Sequence, residues 1–521
     1  MADLARQPRP LQYTQNVSLD DRWNCQDLQG VFSESANFAN GVPGMAKAFM
    51  GVRLQRLREE RGLTQTALAR ILEISPSYLN QLERNQRPLT VPLLLRINAA
   101  FGIDVQIFSE DEEARLVADL REALSEAGTG ETIAMAEIKA LATNMPAVGR
   151  ALVALHRRGR GLAERLDALA SGVVPAGPDS GLPPPMPYEE VRDFFYRHHN
   201  HIAALDDAAE RLFGEAGLEV GAVDRGLERL LADRHGIRTL VTDDTAMPEG
   251  ALRQYDGDAR TLRIARSLEP GRRAFQMATQ LAFHQEPALL LRLVEEGRFS
   301  GPQARSLARI GLANYYAGAV VMPYRAFRET AEAVAYDIDL LGQRFCTGFE
   351  TVCHRLSTLQ RPGMPGVPFF FVRVDRAGNM SKRQSATSFH FSRVGGTCPL
   401  WNVYEAFSTP GRLLTQLARM PDGRAYLWIA RTVVHGRSGY GAPSKSFAVG
   451  LGCDIQHAGR LIYSRGLALG DPDAATPIGA GCKVCERPYC PQRAFPPIGR
   501  TVTVDESLSR FEPYPVAQPP V

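Results

Sequence analysis

Apolar positions along the chain change their period from one region to the next, and each change predicts a different kind of structure. From Ala46 to Phe108 they recur at helical spacing in four or five short runs divided by turn signals, which predicts a small bundle of short helices. Residues 110–171 keep the helical period throughout, with Leu116, Leu120 and Leu124, then Leu152, Leu155, Leu162 and Leu166 on shared faces. The stretch 172–187 (GVVPAGPDSGLPPPMP) has no period and reads as a linker. Tyr188–Leu218 reads as one long amphipathic helix. Residues 219–345 mix helical runs with two short strands, Ile237–Val241 and, after a Tyr-Asp-Gly-Asp turn, Thr261–Ile264. Beyond Pro362 the period drops to two. Phe369–Val374, Phe389–Phe391, Tyr426–Val433, Ser446–Gly450 and Arg460–Tyr463 are expected strands, and Arg376–Asn379 a hairpin turn. Residues 1–44 sustain no period and are expected to be a flexible extension.

Composition adds limits rather than a function. The 521 residues exceed one core, and 44% apolar with 22% charged residues describe an ordinary globular chain. The net charge of +3 says nothing about nucleic acid. Arg outnumbers Lys by 55 to 5, which we read as genome composition. Eight cysteines in this length are no disulfide scaffold. The first 44 residues lack the layout of a signal peptide, and no apolar run approaches the ~20 residues that span a bilayer. A cytoplasmic protein with reduced thiols is the expectation.

Local charge departs from the average in one place. Residues 45–108 carry nine basic and five acidic side chains. Within them runs Thr64-Gln-Thr-Ala-Leu-Ala-Arg-Ile-Leu-Glu-Ile-Ser-Pro-Ser-Tyr-Leu-Asn-Gln-Leu-Glu83. Thr64 caps a helix that buries Leu68, Ala69 and Leu72. Ser75 caps a second, with Pro76 at its first position, where a missing N–H costs nothing. That helix buries Leu79 and Leu82 and leaves Ser77, Tyr78, Asn80, Gln81 and Arg84 on other faces. Gln and Asn match adenine in the major groove and Arg matches guanine. Gln65, at a helix start, suits a phosphate, as do Arg53, Arg56 and Arg87. The residue order resembles the Xre/Cro-type helix-turn-helix, with Glu73 where that family has glycine at the turn. A left-handed turn there costs about 1 kcal/mol or less. The expected partner is double-stranded DNA, bound through Gln65, Ser75, Ser77, Tyr78, Asn80, Gln81, Arg84 and Arg87.

Farther along, Phe275–Pro287 (FQMATQLAFHQEP) and Ala313-Asn-Tyr-Tyr-Ala-Gly-Ala-Val-Val-Met-Pro323 resemble the ImmA/IrrE-type metallopeptidase domain. The zinc helix of that family reads His-Glu-x-x-His, because hydrolysis needs two imidazoles one turn apart and a carboxylate base. The aligned positions here are Thr279, Gln280 and Phe283, and Arg309-Ile-Gly-Leu312 offers no acidic third ligand. His284 is a lone imidazole and reads as a partly buried or surface histidine. The expectation is a domain without protease activity, free to serve as a sensor. Arg192, Arg197 and Arg229, on helical patterns, are candidates for the phosphates of an anionic ligand or else solvated surface arginines, and Tyr316, on an apolar helix, is a further candidate or else a core residue.

The last chemical signal is Cys482-Lys-Val-Cys485-Glu-Arg-Pro-Tyr-Cys490-Pro491, set among glycines and prolines. Cys-x2-Cys is the bite of both zinc and iron–sulfur sites. A third Cys followed by Pro leans toward an iron–sulfur cluster of the [4Fe-4S] type, with zinc as the alternative. Only three cysteines are local. The fourth ligand is taken as Cys453, with Cys398 or a non-protein ligand as alternatives, and His457 as the completing ligand if the metal is zinc. Cys346, Cys353 and otherwise Cys398 read as buried small apolar residues, and Cys25 as incidental.

The whole is thus expected to be a multidomain α+β chain. Its parts are a 1–44 extension, an all-α helix-turn-helix over 45–108 and a helical, dimerising connector over 109–171. A 172–187 linker, a mostly helical peptidase-like domain over 188–345 and a β-rich domain with a cysteine-rich loop over 346–521 follow. Tyr188–Tyr196 (YEEVRDFFY), His354–Pro362 (HRLSTLQRP), Phe371–Ala386 (FVRVDRAGNMSKRQSA), Cys398–Val403 (CPLWNV) and Gly479–Pro491 are similar to the short-chain fatty acyl-CoA regulator family. The likeness spans about residues 46–505. It implies a transcription factor at genes of propionate and acetate catabolism, including the methylcitrate cycle, with acyl-CoA as effector and an iron–sulfur centre in some members; a homodimer is expected because such helix-turn-helix modules read two half-sites. A redox sensor and a zinc peptidase are the competing readings.

Overall fold

The computed structural model describes residues 51–496, less 85, 88–89, 102–109, 127–132, 171–185, 387–397, 437–443, 486 and 488–489, and a few positions up to 514. The expected extension, the linker and Phe389–Phe391 therefore lie outside the described residues, wholly or nearly so. Four helices, α1 (Gly51–Glu60), α2 (Gln65–Ile71), α3 (Pro76–Glu83) and α4 (Val91–Phe101), close around Leu54, Leu68, Ala69, Leu72, Leu79, Leu82 and Ile97. The connector is three helices rather than one run: α5 (Glu110–Glu126), α6 (Met135–Asn144) and α7 (Pro146–Ala170). Leu116 and Leu120 form their core with Ile138, Ala142 and Val153.

The expected long helix is two, α8 (Pro187–Arg197) and α9 (Ala203–Glu215). His199 and Asn200 between them adopt positive φ angles of 48° and 58°, which ends the helical path and turns the chain. Next come α10 (Val223–His235) and a small sheet of β1 (Arg238–Thr242), β2 (Arg253–Asp256) and β3 (Thr261–Ala265) in the order β1-β3-β2. Helices α11 (Pro270–Gln285), α12 (Pro287–Glu296), α13 (Pro302–Val321), α14 (Tyr324–Ala333), α15 (Ile338–Phe345) and α16 (Phe349–Leu356) complete the helical part.

A buried polar knot ties it together. Asp206 on α9 lies 2.6 Å from the Arg355 guanidinium on α16, accepts from the Tyr315 hydroxyl on α13 at 2.6 Å, and is 3.1 Å from His201 Nδ1. Burial works to raise the Asp206 carboxyl, yet Arg355, His201 and Tyr315 together hold it at about 2.

The carboxyl-terminal sheet has six strands in the order β5-β4-β8-β7-β6-β9. They are β4 (Phe369–Val374), β5 (Met380–Ser385), β6 (Leu414–Arg419), β7 (Ala425–Gly436), β8 (Ser444–Asp454) and β9 (Thr476–Pro477). Period two is literal here. Phe369 and Phe371 pack toward the helices, with Leu427, Ile429, Val449, Leu451 and Cys453. Phe370, Val372 and Val374 face the other way, with Tyr426, Trp428, Trp401, Cys398 and Ile478. Gly450 and Gly452 sit on that second face because a Cβ there would run into Val403 and Val372 at the first and into Phe370 at the second. One core runs unbroken from Phe194 to Ala475, so the boundary expected at 345/346 falls inside it. The strand expected at Arg460–Tyr463 is instead a loop leading into a 3-10 turn at Ile462–Ser464. The turn at Arg376–Asn379 is present, its Asp375 carboxylate accepting from Ala377 and Asn379 at 2.9 Å.

Two arginines fix the connector to this body. Arg115 on α5, 5% exposed, donates to the Ser385 carbonyl of β5 at 3.0 Å and lies over the Tyr196 ring of α8. Arg157 on α7 bridges Asp119 at 3.1 Å and Asp193 of α8 at 3.6 Å. No helix of the described residues is long and apolar enough to cross a membrane.

Candidate functional site

The head of the molecule is built as its caps dictate. Thr64 Oγ1 accepts from the Ala67 N–H at 3.2 Å and Ser75 Oγ from that of Tyr78 at 3.1 Å. The chain reverses between α2 and α3 at Glu73, whose φ is 53°. Arg96 of α4 supports the reversal by donating to the Leu72 and Glu73 carbonyls at 3.0 and 3.2 Å. Helix α3 then presents Ser75, Ser77 and Arg84 to solvent, with Tyr78, Asn80 and Gln81 half-exposed. Arg87, exposed beyond its end, lies 5.7 Å from the Tyr78 ring.

One candidate has a different task. Gln65 Nε2 donates to Glu83 Oε2 at 2.9 Å and lies 3.4 Å from Asn80 Oδ1, so the side chain bridges α2 and α3. Glu83 is itself buried and bound by Arg58 at 2.7 Å. The Arg58–Glu83–Gln65 chain fixes the angle at which α3 is presented. Sequence reasoning missed Arg58 and Glu83, although a charged residue at a position in register with Leu79 and Leu82 is the signal that finds them. The side chains of Arg53 and Arg56 lie outside the described residues.

A second site forms at the far end of the carboxyl-terminal sheet. Cys398, Cys482, Cys485 and Cys490 line one small open cleft with Pro399, Gly479 and Arg487. Burial pushes the Cys398 thiol up to about 11, and the nearby Cys485 and Cys482 add to that. The Leu400 and Gly479 N–H groups face its sulfur and act the other way. Burial also raises the Cys485 thiol, opposed by the Arg487 N–H and by the charges of Arg493 and Arg487. Gly479 admits this approach, since a Cβ there would lie 2.5 Å from Cys485 Sγ. Arg493, 4% exposed, donates to the Cys482 and Cys485 carbonyls at 3.4 Å.

Cys453 is not part of this cleft. It alternates onto the opposite face of β8, in the helix-side core with Leu451, where burial raises its thiol strongly and no backbone N–H opposes that. Of the two cysteines expected as candidates for a fourth ligand, Cys398 lines the cleft and Cys453 does not. The cleft gathers soft donors: four thiols line it, two of them with N–H groups from two residues ahead facing the sulfur, and two guanidinium groups stand near Cys485. Among the described residues no three His, Cys, Asp or Glu side chains already stand as a group that could hold a metal ion. His457 belongs to the turn after β8 and does not line the cleft.

Comparison with known proteins agrees with this order of parts. A profile described as helix-turn-helix matches residues 54–108. The IrrE N-terminal-like domain matches 232–357, and the carboxyl-terminal domain of the short-chain fatty acyl coenzyme A regulators matches 358–514. The HTH-type transcriptional regulator PrpR of Mycobacterium tuberculosis is 53% identical over 471 residues, 90% of this chain and 96% of its own. The chain belongs to the short-chain fatty acyl-CoA regulators. Further members of the family include the HTH-type transcriptional regulator RamB of M. tuberculosis, 50% identical over 91% of this chain and 100% of its own. A propionyl-CoA carboxylase regulator of Cereibacter sphaeroides is 42% identical over 90% and 99%. A solved structure of a M. tuberculosis transcriptional regulator, 56% identical, superposes with a TM-score of 0.62 over 64% of this chain and 100% of that one. The protein is therefore a DNA-binding transcriptional regulator.

In this regulator the positions of the zinc-helix pattern hold other chemistry. The Thr279 hydroxyl lies 2.8 Å from the Phe275 carbonyl and 3.3 Å from Asn314 Oδ1. Gln280 Nε2 lies 3.1 Å from His284 Nε2. His284 is not alone: His235 stands 6.0 Å away ring to ring, and burial, His235 and Arg260 together lower its pKa. The four proposed ligand contacts do not converge on one surface. Arg192 pairs with Glu189 at 3.2 Å, Arg197 lies on the surface 3.4 Å from the Asp193 carbonyl, and Arg229 is exposed on α10. Tyr316 is fully buried on α13, its hydroxyl without a hydrogen-bond partner among the described residues, and burial raises its pKa.

Proposed function

We propose that this regulator binds operator DNA as a homodimer, controls genes of short-chain fatty acid catabolism, and changes its DNA affinity when a short-chain acyl-CoA binds the body. One observation carries the reading. An exposed, polar recognition helix stands on the same chain as a body that matches the acyl-CoA regulators over residues 358–514. Propionyl-CoA metabolism is the favoured setting, because PrpR and the propionyl-CoA carboxylase regulator are relatives of the full length. Ser75, Ser77, Tyr78, Asn80, Gln81 and Arg84 face the bases or their flanks. Arg87 serves the phosphates, and Gln65 acts through Glu83 and Asn80.

Dimerisation is assigned to the connector. Met145, Val148, Leu152 and Leu155 are 37–63% exposed and repeat at the three–four spacing of a coiled-coil seam. Two copies are what two half-sites require. Arg115 and Arg157, which fix α5 and α7 to α8 and β5, are the route by which a change in the body reaches the head. The effector regulates only by preferring one of two such arrangements.

The Cys398, Cys482, Cys485 and Cys490 cleft is the place for a [4Fe-4S] cluster, with zinc as the alternative. An iron–sulfur cluster there supplies a redox-sensitive element, and zinc a structural one. No hydrolytic step is proposed, since Thr279, Gln280 and Phe283 supply neither imidazole pair nor carboxylate. A soluble, cytoplasmic location follows from the DNA target. Genome-wide promoter capture with and without propionate tests the whole. Enrichment at propionate or acetate genes that responds to the supplement is expected, and binding elsewhere or indifferent to it overturns the reading.

A further inference from the structure

The carboxyl-terminal sheet carries positive charge that its own fold does not neutralise. Residues 376–404 and 423–453 contain no Asp or Glu and eight Lys or Arg, although the chain as a whole averages about one acidic residue in nine. The first stretch holds the edge strand β5 and the second the β7–β8 hairpin, with β4 between them in the sheet. The ladder register gathers their cations on one face. Arg373 of β4 stands opposite Lys382 of β5, and His435 of β7 opposite Lys445 of β8. Arg373 continues the Phe369–Phe371 side of β4, and Arg431 and His435 the Leu427–Ile429 side of β7, so the row lies on the helix side of the sheet. Arg opposite Lys works against strand pairing, and His opposite Lys does so once protonated. Two helix carboxylates offset part of this. Glu350 of α16 lies 2.9 Å from Arg373, 3.0 Å from His435 and 3.7 Å from Lys382, and Asp339 of α15 lies 2.8 Å from Arg431. Lys382 and Lys445 stay exposed, and Lys445 has no acidic partner among the described residues. A row of cations that exceeds its carboxylates suits the evenly spaced phosphates of a duplex. Position favours the same partner. Arg115 of the connector, which leads to the recognition helix, is anchored on the Ser385 carbonyl of β5, three residues or about 10 Å along the strand from Lys382.

We propose that the row of Lys382, Arg373, His435 and Lys445 is a second DNA contact, by which the body of the regulator holds phosphates flanking the operator without reading their sequence. It rests on the reading that α3 binds operator DNA, and it gives the body a direct grip on the duplex besides the connector. Lys382 and Lys445, the exposed members, carry most of the contact, while Arg373 and His435 are held in place by Glu350.

Fluorescence anisotropy of the full-length protein tests this on two duplexes from a promoter recovered by genome-wide capture. One is about 60 base pairs long, and the other is trimmed to the central ~24, enough for two half-sites one turn apart. Affinities are measured over about 50–200 mM salt. The proteins are wild type, Lys382→Gln with Lys445→Gln, Arg84→Ala, and Arg292→Gln, an exposed position on α12, as control. Both lysines are exposed and one opposes an arginine, so the double variant folds, and its melting temperature checks that. Expected in the double variant is a tenfold or greater loss on the long duplex and at most a twofold loss on the short one. Its salt slope on the long duplex falls by about 1 for each lysine contact removed. Arg84→Ala weakens both duplexes alike, and Arg292→Gln changes neither. Unchanged affinity and slope on the long duplex overturn the proposal and leave the lysines as guards of exposed strand edges. An equal loss on both duplexes overturns it too, because the flanks are then not what the row holds. Wild type that binds neither duplex overturns the DNA reading instead.

Discussion

Asp206→Ala removes the carboxylate on which a buried arginine, a tyrosine and a histidine converge. Both ends of the Asp206–Arg355 pair are buried, with side-chain exposures of 0% and 3%, so water does not replace the lost partner. Leaving one buried charge uncompensated costs about 3–5 kcal/mol, and the freed Tyr315 hydroxyl does not add to that independently. Ionisation accounts for part of it. A carboxyl held at about 2 against 3.8 contributes about 2 kcal/mol. Because the folded value is depressed, this contribution is present above about pH 4 and lost as pH falls through about 2. Urea unfolding, followed by the fluorescence of the buried Trp401 and Trp428, is the assay. With a slope near 3 kcal/mol/M the midpoint falls by about 1–2 M at pH 7. The gap to wild type holds from pH 8 to 5 and narrows below 4. Asp206→Leu with Arg355→Met recovers most of the loss, since an apolar pair leaves no orphaned charge. A shift under 1 kcal/mol for the single alanine variant, or no recovery in the double, refutes the account of this knot.

Three further outcomes follow from the other sites. Cys398→Ser abolishes binding of iron–sulfur or zinc by reconstituted protein, while Cys453→Ser retains the metal and lowers only stability; visible absorption and metal analysis read both. Arg84→Ala weakens operator binding by roughly 1–3 kcal/mol if its contact is to a base, measured by gel-shift titration at fixed salt. Leu155→Glu, a 63% exposed position on α7, converts dimer to monomer in sedimentation and weakens DNA binding without a change in thermal stability; a dimer that survives it excludes this seam.

The local chemistry of the head was legible in the sequence because each signal acts within a few residues. Thr64 and Ser75 cap as their hydroxyls require, and Pro76 opens α3. The run Phe369–Val374 likewise predicted a strand, though not that both its faces would be buried nor what lay on each. Tertiary structure decided everything that depends on which distant residues meet. Cys398 and Cys453 look alike along the chain, and only the face of β8 and the return of the 479–490 loop bring Cys398 to the other thiols. His199 and Asn200 break a helical pattern that continues on either side, because a turn there lets His201 and α9 deliver Asp206 to Arg355, 149 residues away. Short-range propensity fixes caps, turns and periods, while charge partners and ligand sets are fixed by long-range packing, on which no local pattern bears.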